Sequence, residues 1–265
     1  MYNKFTLARK YILYYLTASN GRGHGIHSPF IYQFVRQVLH NRRSYYSYGQ
    51  IEAIRSLLLN DDTMIEVEDK GAGSAIAATK QRRIREIART ALKPPKYARL
   101  LFRMVDHYQP ATILELGTSL GITTAYMAIA NPSARIITIE GSPAIALKAR
   151  ENFSRLNIRN IQLVTDDFSN SLKPSLEALK PVDLVFVDGN HRKAPTLLYF
   201  EEILRYSHPE TIIVFDDIHW SAEMEEAWSE IKGHPAVKCT VDLFLLGLVF
   251  LKEEFRVPRH FTIRF

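Results

Sequence analysis

Between residues 111 and 251, short apolar runs alternate with stretches in which apolar positions return every three or four residues. The runs are Thr112–Leu116, Arg135–Ile139, Ile161–Val164, Leu184–Val187 and Thr211–Phe215. Helical spacing follows each of them, from Gly121, over Pro143–Leu156, around Leu172–Leu179, over Ala194–Tyr206 and over Ala222–Ile231. Uninterrupted apolar runs of strand length belong to strands covered on both faces, and their alternation with helices predicts parallel crossovers. Val237–Leu243 and Leu246–Leu251 close the series with too few residues between them for a crossover, so these two must pair antiparallel. The pattern predicts an α/β fold, a Rossmann-like doubly wound seven-stranded sheet with an antiparallel last strand, preceded by an N-terminal helical region.

That region reads as amphipathic helices over Phe5–Leu16, Ile31–Leu39 and Tyr45–Leu59. The glycine- and histidine-rich segment Asn20–Phe30 joins the first two, with Ser28-Pro29 as a helix start. It is either a substrate-covering loop or a connector, and His24 and His27 lack further ligands at metal spacing. Met64–Ser74 imitates a strand-to-glycine turn, but its run is acidic and no strand ending in an acid follows. It is therefore expected to be no ligand site, and Lys80–Arg103 to be a basic helical stretch broken at Pro94-Pro95. The natural partition is a basic helical region over 1–96, covering or selecting a substrate, and a ligand-binding domain over 97–265.

The most informative turn joins the first strand to its helix: Glu115-Leu116-Gly117-Thr118-Ser119-Leu120-Gly121. Gly117 can take backbone angles closed to other residues, Gly121 lets the helix start pack closely, and turn N–H groups are expected to face a ligand above the strand end. The second strand ends in Glu140-Gly141, an acid placed to accept both hydroxyls of a ribose. Nicotinamide-dependent hydride transfer uses similar geometry, but the loop lacks the G-x-G-x-x-G spacing and has Glu115 before the first glycine.

Composition bounds the remaining choices. With 265 residues and 46% hydrophobic content, the chain can bury a large core. No apolar run reaches membrane-spanning length and no signal-peptide pattern opens the chain, so no membrane association and a cytoplasmic location are expected. The single cysteine, Cys239, lies in a strand-like run and is expected to be buried filler. Charge is uneven: residues 1–109 carry 18 Lys and Arg against 8 Asp and Glu, whereas 110–265 carry 16 against 20. The front region therefore suits an acidic partner, with nucleic acid and anionic small molecules both candidates.

Over about residues 97–252 these motifs resemble class I S-adenosylmethionine-dependent methyltransferases, and within them the metal-dependent catechol-type and sugar O-methyltransferases. Glu115, Gly117, Thr118, Ser119 and Gly121 look like the family's first motif and Glu140-Gly141 like its ribose-binding acid. Val164-Thr165-Asp166-Asp167 is similar to the position beside the adenine; Asp166 is favoured for that contact, and either acid could cap the following helix. The resemblance implies a cation at Asp188, Asp216 and Asp217, at the ends of two strands expected to be neighbours. Three carboxylates together repel, and an all-oxygen set suits Mg²⁺ or a similar hard ion. In the catechol type the third ligand is commonly Asn, whereas Asp217 matches the sugar-methylating relatives. The alternative role for Asp188 is to steer the cofactor, and for Asp216 or Asp217 to cap the next helix.

His191 stands where the catechol type carries a lysine implied to be a base, a task imidazole suits near neutral pH. His219 and Trp220 are expected to shape the pocket wall. The implied activity is methyl transfer to a hydroxyl of a small molecule, probed against two alternatives: a tRNA- or rRNA-modifying methyltransferase and a non-catalytic S-adenosylmethionine-binding protein. A homodimer is compatible with the sequence.

Overall fold

The computed structural model describes residues 1–19, 28–69 and 78–265. The chain forms two compact units, one of residues 42–175 and one of residues 1–41 with 176–265. Neither limit coincides with residue 96. The readings of His24 and His27 and of the glycines after Lys70 lie outside the described residues.

In the first unit, helix α3 (Tyr46–Leu59) leads into strands β1 (Met64–Asp69) and β2 (Ala78–Arg83), then helices α4 (Ile84–Ala91) and α5 (Pro95–Tyr108). Strand β1 pairs antiparallel with β2, from Met64 opposite Arg83 to Asp69 opposite Ala78. This corrects the helical expectation for the segment from Lys80: helix begins only at Ile84. The acidic run Met64–Asp69 is nonetheless a strand, in continuous antiparallel register with Ala78–Arg83. Pro95 stands in the first turn of α5, as its fixed φ favours, and the helix ends on Gln109 in the left-handed region.

Strands β3 (Thr112–Leu116), β4 (Arg135–Glu140) and β5 (Ile161–Thr165) then form a parallel set, with Glu115 opposite Thr138 and Glu140 opposite Thr165. Helices α6 (Ile122–Ala130) and α7 (Pro143–Arg155) supply the crossovers. Ile113, Leu114, Ile136 and Ile139 are fully buried, as strands covered on both faces require. A second apolar layer gathers Tyr48, Phe102 and Tyr126, with Tyr48 and Phe102 edge to face at 4.9 Å between ring centroids.

Helix α8 (Phe168–Leu179) carries the chain on to β6 (Leu184–Val187), α9 (Lys193–Leu204), β7 (Ile212–Asp216), α10 (Ala222–Gly233), β8 (Cys239–Asp242), β9 (Leu246–Phe250) and β10 (Arg259–Thr262). Strands β6 and β7 are parallel, and β9 lies antiparallel to both β7 and β8. All seven strands read from the sequence are present, and the antiparallel member is β9. An eighth, β10, pairs parallel to β8 and follows no crossover pattern that periodicity could reveal. The class is as predicted: mixed α/β, mostly parallel and Rossmann-like.

The same unit holds helix α1 (Lys4–Thr17) and helix α2 (Pro29–Gln33), which continues as a π-helical turn over Phe34–Leu39. Asn3 caps α1 by accepting from the Thr6 amide, and Ser28 caps α2 by accepting from the Ile31 amide. Tyr14 of α1 and Ala18, the residue that ends it, pack against Phe244. Cys239 is fully buried, and burial pushes its thiol pKa up to about 12, in keeping with filler. Among the described residues no helix is long and apolar enough to cross a membrane.

Candidate functional site

The first group of site residues lies at the ends of β3, β4 and β5. Gly117 has φ +97° and Gly121 φ +79°, both in the left-handed region. A Cβ on Gly121 would stand 2.6 Å from the Phe153 ring and 3.2 Å from the Ala149 Cβ, so this glycine lets α6 start against α7. The turn amides, however, do not face a ligand. Gly117 and Thr118 N–H donate to the Ile139 carbonyl (3.0 and 3.1 Å), Gly121 N–H donates to Thr118 (2.9 Å), and Ser119 N–H donates to Glu140 Oε2 (2.8 Å). This overturns the expectation of ligand-facing N–H groups at those four positions: each has an acceptor within the fold.

Glu115 is fully buried, and its Oε2 accepts from the hydroxyls of Thr138 (2.6 Å) and Thr124; Thr138 also lies 2.5 Å from the Thr118 hydroxyl. The carboxylate thereby ties β3 to β4 and to α6 directly beneath the turn. At the end of β4, Glu140 accepts from the amides of Ser119 (Oε2, 2.8 Å) and Ser142 (Oε1, 3.0 Å). Both carboxylate oxygens are thus fixed in orientation, and each keeps a further lone pair. The hydroxyls of Ser119 and Ser142 are buried without a hydrogen-bond partner among the described residues. Two such hydroxyls flanking an oriented acid fit a ligand rich in hydroxyl groups, as a ribose is.

Burial raises the pKa of Glu140 above the ordinary glutamate range, and the amide hydrogen bonds from Ser142, Ser119 and Gly141 offset only part of the rise. A ribose hydroxyl donates to the ionised carboxylate, so nucleoside affinity should fall as pH drops through a value above that of an exposed glutamate. A calorimetric pH series with S-adenosylhomocysteine reads this directly. Glu140→Gln should weaken binding about tenfold, the loss of one charge-assisted hydrogen bond, and flatten the pH series.

Asp166 Oδ1 accepts from the Asp167 amide (2.7 Å) and from Asn170 Nδ2 (3.3 Å). The Asp167 carbonyl accepts from Ser171 N–H (3.1 Å), so Asp167 stands at the helix entry and Asp166 lies just before it. Gly141 is close to the same acid, since a Cβ there would lie 3.9 Å from Asp167 Oδ1.

The second group, described within its own unit, lies at the ends of β6 and β7. One oxygen each of Asp188 and Asp216 and one ring nitrogen of His191 lie within 4.8 Å of one another. His191 Nε2 is 3.7 Å from Asp188 Oδ1 and 4.0 Å from Asp217 Oδ2. Asp216 is 1% exposed, whereas Asp188, His191 and Asp217 are half-buried. Sequence reasoning paired three acids. The tight trio instead includes the imidazole, with Asp217 at its edge. Asn190 (φ +55°) and Asp217 (φ +54°), just past the two strand ends, both adopt the left-handed conformation.

One polar chain was not legible in the sequence. His219 Nε2 lies 2.8 Å from Asp242 Oδ2 and its Nδ1 lies 3.0 Å from Glu225 Oε1, while its ring stacks on Phe244. Burial alone would lower the His219 pKa, but the hydrogen bonds and charges of Asp242 and Glu225 outweigh it and raise the value. Glu225 in turn accepts from Lys10 Nζ (2.9 Å) and the Tyr2 hydroxyl (2.9 Å). Lys10 and Glu225 are separated by 215 positions, which no local pattern discloses.

Comparison with known proteins matches residues 114–218 to a family model described as a methyltransferase domain. A catechol O-methyltransferase of Niastella koreensis is 34% identical over 174 residues, covering 60% of this chain and 76% of that protein. Among solved structures, an O-methyltransferase from Bacillus cereus in complex with SAH aligns with TM-score 0.56 at 20% identity, over 83% of this chain and 97% of that one. An SAH-bound methyltransferase of Podospora anserina aligns with TM-score 0.58 at 14% identity, over 96% and 98%. These two likenesses establish the fold. The sequence match across most of a catechol O-methyltransferase establishes more: this chain belongs to the class I S-adenosylmethionine-dependent O-methyltransferases.

Proposed function

We propose that the chain methylates a hydroxyl of a small molecule, with a divalent cation held by Asp188, Asp216 and Asp217 and with His191 as proton acceptor. The observation that carries this reading is the convergence of Asp188, His191 and Asp216 within 4.8 Å, with Asp217 beside the imidazole. Acids concentrated at two strand ends suit a hard cation by charge and by donor type. When bound, S-adenosylmethionine would supply the methyl and the cation would lower the pKa of the acceptor hydroxyl. Glu140 would orient the ribose through its two fixed oxygens, Asp166 or Asp167 would meet the adenine, and Glu115 would hold the turn from below. His191 Nε2, 3.7 Å from Asp188 Oδ1 and 4.0 Å from Asp217 Oδ2, would take the proton of the acceptor hydroxyl.

The test uses catechol as acceptor. Methyl transfer is expected to stop on chelation and to return with Mg²⁺; full activity in excess chelator would remove the cation from the reading. A Mg²⁺ titration of His191→Ala separates the two roles of the imidazole. Retained cation affinity with a loss of kcat of about a hundredfold is expected for a proton acceptor, whereas loss of cation binding would make His191 a ligand.

The RNA-modifying alternative rests on the basic front region. Arg55 and Arg103 are both buried, and Arg55 bonds to Glu52 (3.0 Å) and the Lys93 carbonyl (2.9 Å), so part of that positive charge is internal. We therefore favour the small-molecule acceptor.

A further inference from the structure

Exposed apolar surface is concentrated on helix α1. Among the described residues fourteen large apolar side chains are exposed, and seven of them lie between Met1 and Leu16. Phe5, Ile12, Leu13 and Leu16 are 59–82% exposed, and at 3.6 residues per turn they fall with Arg9 on one face about 100° wide. The opposite face is the one that packs. Tyr14 donates to the Ile263 carbonyl and its ring centroid lies 5.3 Å from that of Phe244, while Lys10 reaches Glu225 at 2.9 Å. Leu7 and Tyr11 turn toward a cavity shared with Trp220 and Phe244. The helix is thus fixed on one side and presents a second apolar face to solvent, a feature that marks an interaction surface.

Charge distinguishes the possible occupants of this face. Residues 1–51 hold seven Lys and Arg and no Asp or Glu. Lys4 and Arg9 are exposed and make no ion pair among the described residues, and the Arg264 guanidinium lies 4.8 Å from the Tyr15 ring centroid near the other end of the helix. A second copy of the chain, seated on the face by two-fold symmetry, would bring two copies of Arg9 together with no acid on the helix to offset them. An anionic lipid surface accepts apolar side chains and cations at once. Helix α1 has 14 residues, about 21 Å, against roughly 30 Å for the hydrocarbon core of a bilayer, so it fits along such a surface and does not cross it. The expectation of no membrane association rests on spanning length, which a helix lying in the plane does not need.

We propose that α1 lies on an anionic phospholipid surface, with Phe5, Ile12, Leu13 and Leu16 at the boundary of headgroups and acyl chains and with Lys4, Arg9 and Arg264 on lipid phosphates. The proposal goes beyond methyl transfer and does not depend on it.

The experiment is flotation of the full chain with vesicles of phosphatidylglycerol and phosphatidylcholine in equal parts, set beside vesicles of phosphatidylcholine alone. Partitioning onto the anionic vesicles is expected to be at least tenfold stronger than onto the neutral ones. It should weaken at least fivefold in about 1 M salt, where the Debye length falls to about 3 Å. Two variants separate the apolar part from the charged part. Ile12→Ser with Leu16→Ser should lower partitioning at least tenfold on the anionic vesicles. Arg9→Glu changes two units of charge, each worth about fivefold near an anionic surface, and should lower it about 25-fold. All three positions are exposed, so both variants should keep the melting temperature and the S-adenosylhomocysteine affinity of the unaltered chain. Equal partitioning onto both kinds of vesicle, none onto either, or unchanged partitioning of both variants overturns the proposal. A dimer in sedimentation velocity that the double variant splits, with no flotation, assigns the face to a second copy and overturns it as well.

Discussion

Asp216→Asn should lower kcat for catechol methylation by about two to three orders of magnitude, while S-adenosylhomocysteine affinity stays within twofold. The side chain is 1% exposed at the end of β7 and lies within the trio with Asp188 and His191. Asparagine keeps the shape and one oxygen but removes the charge a cation needs. The same change should leave the melting temperature unchanged or raised in cation-free buffer, because it removes one of several neighbouring negative charges. Kinetics with and without Mg²⁺, set beside thermal unfolding, check both halves. A variant with undiminished kcat would show that this acid has no part in the reaction, and one with lost kcat and a much lower melting temperature would point to a purely structural role.

Gly121→Ala carries the second large effect, through the cofactor side. Its Cβ would lie 2.6 and 2.8 Å from atoms of the Phe153 ring, closer than side-chain carbons come, and alanine at φ +79° adds backbone strain. Overpacking costs about 1–3 kcal/mol and a left-handed non-glycine residue about 1–2 kcal/mol, so a loss of roughly 2–5 kcal/mol of stability is expected. Since Gly121 N–H donates to the Thr118 carbonyl, the turn bearing Ser119 should shift with it, and S-adenosylhomocysteine affinity should fall at least tenfold. Urea unfolding and calorimetry measure the two losses. Phe153→Leu in the same chain should recover part of the stability by vacating the clash and none of the backbone strain. Full recovery would mean that the positive φ costs nothing, and no recovery that the ring is not the obstacle.

What the sequence disclosed follows from how far each interaction reaches along the chain. The strands β3 to β9 were legible because each is a continuous apolar run between turns, and Gly117, Gly121 and Glu140 because a strand-to-helix turn confines its chemistry to a few adjacent positions. The pairing of β1 with β2 was missed because the strands are rich in charged residues and carry no continuous apolar run to mark them. The ligand-facing amides were misjudged for a related reason. Their acceptors, Ile139 and Glu140, belong to the next strand, and only the register of β3 on β4 brings those oxygens to the turn. His191 was singled out as a base, yet its nearness to Asp188 depends on how the loop after β6 folds back. The tie from Lys10 through Glu225 to His219 joins opposite ends of the sequence and has no periodic or motif signature.

The left-handed backbone at Asp217 limits variation at this site independently of the reaction. At φ +54°, a β-branched or bulky residue is strained, whereas glycine, asparagine and aspartate are tolerated. Of those three, only asparagine and aspartate present a side-chain oxygen. Mutational drift at position 217 that preserves both the loop and an oxygen donor therefore has two residues to choose between, differing by one negative charge. The net charge at the end of β7 can change by that single step without rebuilding the loop, giving a lineage a small, reversible means of retuning the local charge.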